Sequence, residues 1–102
     1  MVTEINEKVF DDKIKETCIV DFFATWCPPC KMLAPVVEKV SEEYGNKLNF
    51  YKVNVDENNE TAAKYQIMSV PTLVIFRDGN PVKRTSGYMG EKELMKFIDE
   101  SL

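Results

Sequence analysis

In the stretch TWCPPCK, residues 25–31, Cys27 and Cys30 stand three apart with only Pro28 and Pro29 between them. Thiols at this spacing supply half of a metal site or pass between dithiol and disulfide. A tetrahedral metal site takes four ligands, and the chain holds three cysteines and no histidine. The third cysteine, Cys18, falls at the far end of the preceding apolar run, a poor position for a ligand. A metal site survives only as a dimer sharing two cysteine pairs. The expectation is redox chemistry with no metal and no cofactor.

That chemistry needs a stiff platform on which two sulfurs close and reopen, and the hydrophobic pattern supplies one. CIVDFF, residues 18–23, is apolar at nearly every position, as expected of a strand covered on both faces. After the cysteines the period changes. Leu33, Val36, Val37, Val40 and Tyr44 share one face of a helix that starts at Pro28 or Pro29 and ends at Tyr44, with Pro35 bending it and Gly45 stopping it. Upstream lie a short strand, VTEI, and a helix over residues 7–15 with Phe10 and Ile14 on one side. Downstream come the strand LNFYKVNV, a short helix over 61–65 and the buried strand TLVIF. An RDGN turn then leads into the antiparallel partner PVKRTS, and a helix over 91–101 carries Leu94, Phe97 and Ile98 on its apolar face. The order is βαβαβαββα. Early strand-helix-strand crossovers give parallel pairing and the late hairpin antiparallel pairing, so the fold class is α/β, a mixed five-stranded sheet with helices on both faces.

On this map Cys27 sits at the carboxyl end of the buried strand and Cys30 in the first turn of the long helix. Residues three apart on a helix have Cβ atoms about 5–6 Å apart and a disulfide wants roughly 3.5–4.5 Å, so a slight tightening closes the bond. The free N–H groups and dipole of the helix start favour a thiolate on Cys27, the form that attacks a disulfide, and Lys31 adds positive charge nearby. Cys30, one turn in and expected to be less exposed, is placed to attack a mixed disulfide and expel the reduced product. Asp21 lies mid-strand between two apolar faces, so it is desolvated whichever way it points, and its pKa should be raised. Cys18 reads as a small buried hydrophobe.

Composition bounds the setting. A chain of 102 residues with 44% hydrophobic and 29% charged content fits one domain, residues 1–102. Seventeen acidic against thirteen basic residues give a formal charge of -4, and the scattered basic residues leave no phosphate-binding footprint. Nucleic acid is not an expected partner. The apolar runs fall short of the roughly 20 residues of a transmembrane helix, and the opening MVTEINEKVF lacks the pattern of an export signal. The expected setting is the cytoplasm, with no membrane. Reductants there keep ordinary thiols reduced, so a Cys-x-x-Cys disulfide forms transiently, as chemistry.

VDFFATWCPPCK, the Pro35 bend, VNVDEN, SVPTLVIF and SGYMG are landmarks in the order of the thioredoxin family, which the chain resembles over its whole length. The resemblance implies a mixed sheet sandwiched by four helices. It implies a general protein-disulfide reductase, a monomer that acts on disulfide-containing client proteins and is recycled by a thioredoxin reductase. Cys27 then corresponds to the nucleophile and Cys30 to the resolving cysteine. Asp21 corresponds to the buried proton acceptor for Cys30, acting through water, with Lys52 of the neighbouring strand as its charge partner. Val70-Pro71 corresponds to the loop whose proline is cis in the family and faces the sulfurs, although the isomer is not legible in a sequence. The implied role of that loop is to offer Val70 backbone groups to an extended client strand, with Trp26 and Gly87 completing an apolar rim. Trp26 also reads as a partly buried core aromatic; the two are compatible.

The pattern is not followed everywhere. Pro28 stands where glycine is usual, which stiffens the loop and removes one N–H near the thiolate. Less stabilisation of the Cys27 anion and a somewhat more reducing couple follow, with ring strain in the disulfide acting in the other direction. Phe23 stands where a second tryptophan is common, and Tyr88 adds bulk to the rim. Two other functions stay open. One is a disulfide oxidase or isomerase on the same fold, for which a histidine between the cysteines is the usual cue and is absent. The other is a binding module with incidental redox activity.

Overall fold

Side chains along a strand alternate between its two faces, and in this protein both faces of the sheet are covered. The computed structural model describes residues 1–102. In chain order the elements are β1 (Val2–Glu4), α1 (Glu7–Lys13), β2 (Cys18–Phe23), α2 (Pro28–Tyr44), β3 (Asn49–Asn54), α3 (Asn59–Lys64), β4 (Thr72–Arg77), β5 (Asn80–Ser86) and α4 (Glu91–Asp99). The sheet is ordered β1-β3-β2-β4-β5, parallel across the first three strands and antiparallel at β2-β4 and β4-β5. This is the βαβαβαββα arrangement that the hydrophobic pattern predicts.

On one face Ile19, Phe50, Leu73 and Ile75 of the strands meet Leu33, Val37 and Val40 of α2 and Leu94, Phe97 and Ile98 of α4. On the other, Val20, Phe22, Val53, Val74 and Phe76 close around Phe10 of α1, whose ring meets Phe76 edge-on at 5.6 Å between centroids. Strand parity then assigns the polar residues. Asp21 shares the parity of Ile19 and so points at α2, while Lys52, its register partner on β3, shares the parity of Phe50 and points the same way. Cys18 has the opposite parity and is buried on the α1 side. Burial pushes its thiol up to about 12, so the reactive thiolate is scarce at neutral pH.

Several boundaries differ from those expected. α1 ends at Lys13 and α4 at Asp99, each two residues early: the caps Ile14 and Glu100 still donate to the carbonyls four residues back, whereas Lys15 and Ser101 donate to those three back, which tightens the last turn. α3 starts at Asn59, two residues before the expected start, because Glu7 reaches across from α1 and accepts the N–H groups of Glu60 and Thr61. Gly45 is the C-cap of α2, and glycine is needed there for space, not handedness: its φ of -61° is right-handed, and a Cβ would lie 2.9 Å from the Ser41 carbonyl oxygen. Pro35 removes the N–H that would bond the Lys31 carbonyl, yet α2 continues past it to Tyr44. The β4-β5 hairpin closes through Asp78 and Gly79, both with positive φ, the two-residue turn that matches strand twist. No helix is long and apolar enough to cross a membrane.

Candidate active site

Cys27 is the N-cap residue of α2, extended at φ -96° and ψ 109°, and its Sγ accepts the Cys30 N–H at 3.2 Å. Pro28 and Pro29 occupy the first two helical positions. Prolines suit that turn, because the N–H groups they lack have no helical partner there and their fixed φ presets the helix. A side-chain cap takes the N–H of the second or third helical residue. Pro29 therefore removes a capping donor from the sulfur, Pro28 does not, and Cys30 supplies the one that remains. The two sulfurs are joined as a disulfide with Cα atoms 5.2 Å apart, inside the usual range for a bridge.

In this oxidised pair Cys27 and Cys30 are each only 3% exposed, so the expected difference in exposure between them is absent. Direction separates them instead. Cys27 lines a groove of about 450 Å³ with Trp26, Val55, Ile67, Met68 and Val70. Cys30 lines a different cavity, of about 260 Å³, together with Asp21, Phe23, Lys31 and Lys52. Asp21 Oδ1 is buried without a hydrogen-bond partner. Burial raises the Asp21 carboxyl to about 7, against the opposing pull of the Lys52 charge. A carboxyl that titrates near neutrality can take a proton from a thiol at working pH and give it up again.

The Val70-Pro71 peptide is cis, and the Val70 carbonyl oxygen lies 3.6 Å from Cys27 Sγ, so the backbone of this loop borders the sulfur that faces the groove. Gly87 does not line the groove; its N–H donates to the Pro71 carbonyl at 2.9 Å and braces the loop from behind. Trp26 is 67% exposed, which removes the reading of it as a core aromatic. Its indole N–H donates to Asp56 Oδ2 at 2.8 Å. Phe23 packs on Ala24, Cys27 and Cys30, and Tyr88 is half exposed beside Gly87.

The thioredoxin family model matches residues 1–100. The chain belongs to the thioredoxin family. Among curated relatives, the thioredoxin of Staphylococcus saprophyticus is 44% identical over 102 residues, spanning 99% of this chain and 98% of that protein. The thioredoxin of Staphylococcus epidermidis matches equally well, and that of Staphylococcus aureus is 43% identical over the same span. Membership makes the chain a protein-disulfide oxidoreductase of the thioredoxin kind, with Cys27 and Cys30 as its Cys-x-x-Cys pair. Neither the oxidase or isomerase reading nor the binding-module reading is favoured.

Within this thioredoxin fold two features of the site had no role in the sequence reading. Met68, 91% exposed on the groove, is a bulky apolar residue in a loop three positions before the cis-proline, and that placement was the available signal. Asp56 lay inside the landmark VNVDEN, where nothing local distinguishes it from the neighbouring acidic and amide residues.

Proposed function

We propose that the chain works as one domain and a monomer in the cytoplasm, reducing disulfide-containing client proteins and being reduced in turn by a thioredoxin reductase. The observation that carries the roles is the division of the two sulfurs between two cavities, Cys27 toward the exposed apolar groove and Cys30 toward Asp21. The Cys27 thiolate, stabilised by the Cys30 N–H and the dipole of α2, attacks one sulfur of the client disulfide. A sulfur-sulfur bond to Cys27 forms, the client's own bond breaks, and one client thiolate leaves and takes a proton from water. Asp21, as carboxylate, accepts the proton of the Cys30 thiol. Cys30 then attacks Cys27 Sγ, closing the internal disulfide and releasing the second client thiolate. Two electrons have passed to the client, and two electrons and two protons from the reductase reopen the pair.

Lys52 holds the Asp21 pKa from rising further, so a useful fraction is ionised at neutral pH. Val70 offers its backbone groups to an extended client segment, framed by Trp26 and by the Pro71 loop that Gly87 braces. Pro28 and Pro29 tune the couple by stiffening the turn between the sulfurs. Insulin reduction, with dithiothreitol or a thioredoxin reductase as electron source, tests the reading. Wild type should turn over, Cys27→Ser should not, and Cys30→Ser should accumulate a client adduct on Cys27. Turnover by Cys27→Ser would overturn the assignment.

A further inference from the structure

An asparagine at a helix N-cap ordinarily turns its side chain inward to accept an N–H from its own first turn. Asn58, the N-cap of α3, makes no such bond. Its Oδ1 accepts the Glu7 N–H at 2.9 Å, and its Nδ2 donates to the Asn54 carbonyl at 2.9 Å. The N–H groups of Glu60 and Thr61 are taken instead by Glu7 Oε1, at 2.8 and 3.2 Å. α1 thus caps α3 from outside, and Asn58 is free to hold the carboxyl end of β3. Asn54 completes the turn: its Oδ1 accepts the Asp56 N–H at 2.9 Å and its carbonyl accepts the Glu57 N–H at 3.3 Å. Asp56 in turn accepts the indole N–H of Trp26. Asn54 and Asn58 are buried, at 7% and 5% exposure, whereas Trp26 at the far end of the relay stands in solvent.

A local rule broken at one residue and repaired from another element marks a geometry kept for more than the helix itself. We propose that Asn54 and Asn58 are positioning residues for client binding: they fix the turn that carries Asp56, and Asp56 fixes the Trp26 indole on the rim of the groove beside Cys27. The inference rests on the reading that this groove receives the client. Trp26 is too exposed for packing to hold its ring, so its one directed hydrogen bond sets the orientation. An aromatic held still before binding loses less freedom on docking than a mobile one.

Trp26 is the only tryptophan, so its fluorescence anisotropy reports the ring directly. Asn54→Ala removes the acceptor for the Asp56 N–H, and Asn54→Asp keeps it. In Asn54→Ala the KM for insulin should rise about two- to tenfold, the effect of one lost hydrogen bond. Its kcat, its redox potential and its reduction of the small disulfide DTNB should stay unchanged, and Trp26 anisotropy should fall. Asn54→Asp should restore wild-type values. In a Trp26→Phe background Asn54→Ala should raise KM no further. Unchanged KM and anisotropy in folded Asn54→Ala would overturn the proposal. So would the same rise in KM without Trp26, or an equal loss against DTNB, which would mean that the sulfurs had moved. Should Asn54→Ala not fold, Asn54→Ser, whose hydroxyl makes the same turn more weakly, carries the comparison. A wild type that reduces DTNB but not insulin would instead defeat the reading of the groove as the client site.

Discussion

Asp21 and Lys52 are register partners on β2 and β3 and point to the same face of the sheet, yet no ion pair joins them. The Lys52 ammonium lies 5.8 Å from the centroid of the Phe23 ring. A closed buried pair would hold the carboxyl well below neutrality. The open arrangement lets burial dominate, and Asp21 titrates at about 7 in the cavity it shares with Cys30.

Asp21→Asn should be more stable than wild type at pH 8 and slower against insulin at pH 7. The folded carboxyl, at about 7, lies above its ordinary 3.8, so the folded state keeps a proton that the unfolded chain loses. Through this group wild-type stability falls as pH rises from about 4 to about 7 and then levels off. The variant escapes a penalty on the order of 4 kcal/mol at most, and the gap closes near pH 4. Urea denaturation at pH 4 and pH 8 checks it; an equal gap at both pH values would contradict the burial argument, and an unchanged rate would remove the proton-transfer role.

Lys52→Met removes the charge that lowers the Asp21 pKa. The pKa should rise further, and the pH-rate profile for insulin reduction should move to higher pH. A profile that stays in place, or moves down, would show that Lys52 does not act on the carboxyl.

Alkylation of the reduced protein with iodoacetamide should modify Cys27 first, with a pH midpoint below the roughly 8.5 of a free thiol, thioredoxins being the standard instance of such lowering. Cys18, buried on the far side of the sheet, should react only on unfolding. Labelling of Cys18 in the folded protein as fast as Cys27 would reopen a regulatory role for it.

Pro28→Gly should move the redox potential toward a more oxidising value, by less than about 30 mV. The shift is small because the N–H gained is at the first helical position, while the sulfur is capped by the Cys30 N–H. Loss of proline stiffness in the unfolded chain should lower stability by about 0.5–1 kcal/mol. A more reducing variant in direct comparison with wild type would reverse the argument.

The order of elements, the start of α2 at the sulfur pair and the burial of Asp21 were all legible in the chain, because periodicity, proline placement and a run apolar on both faces are decided by residues within a few positions of one another. Even there, the cap-type residue Asn58 marks the true start of α3, but nothing local shows that the acceptor for its first N–H groups comes from Glu7 on another element. Tertiary structure alone decided that Cys27 and Cys30 face different cavities, that Val70 comes within 3.6 Å of a sulfur 43 residues away, that Trp26 stands in solvent, and that Asn58 spends its side chain on Glu7 and Asn54. Each of these depends on which strands pair and in what register, and contacts between distant segments leave no periodic trace in the residues that make them.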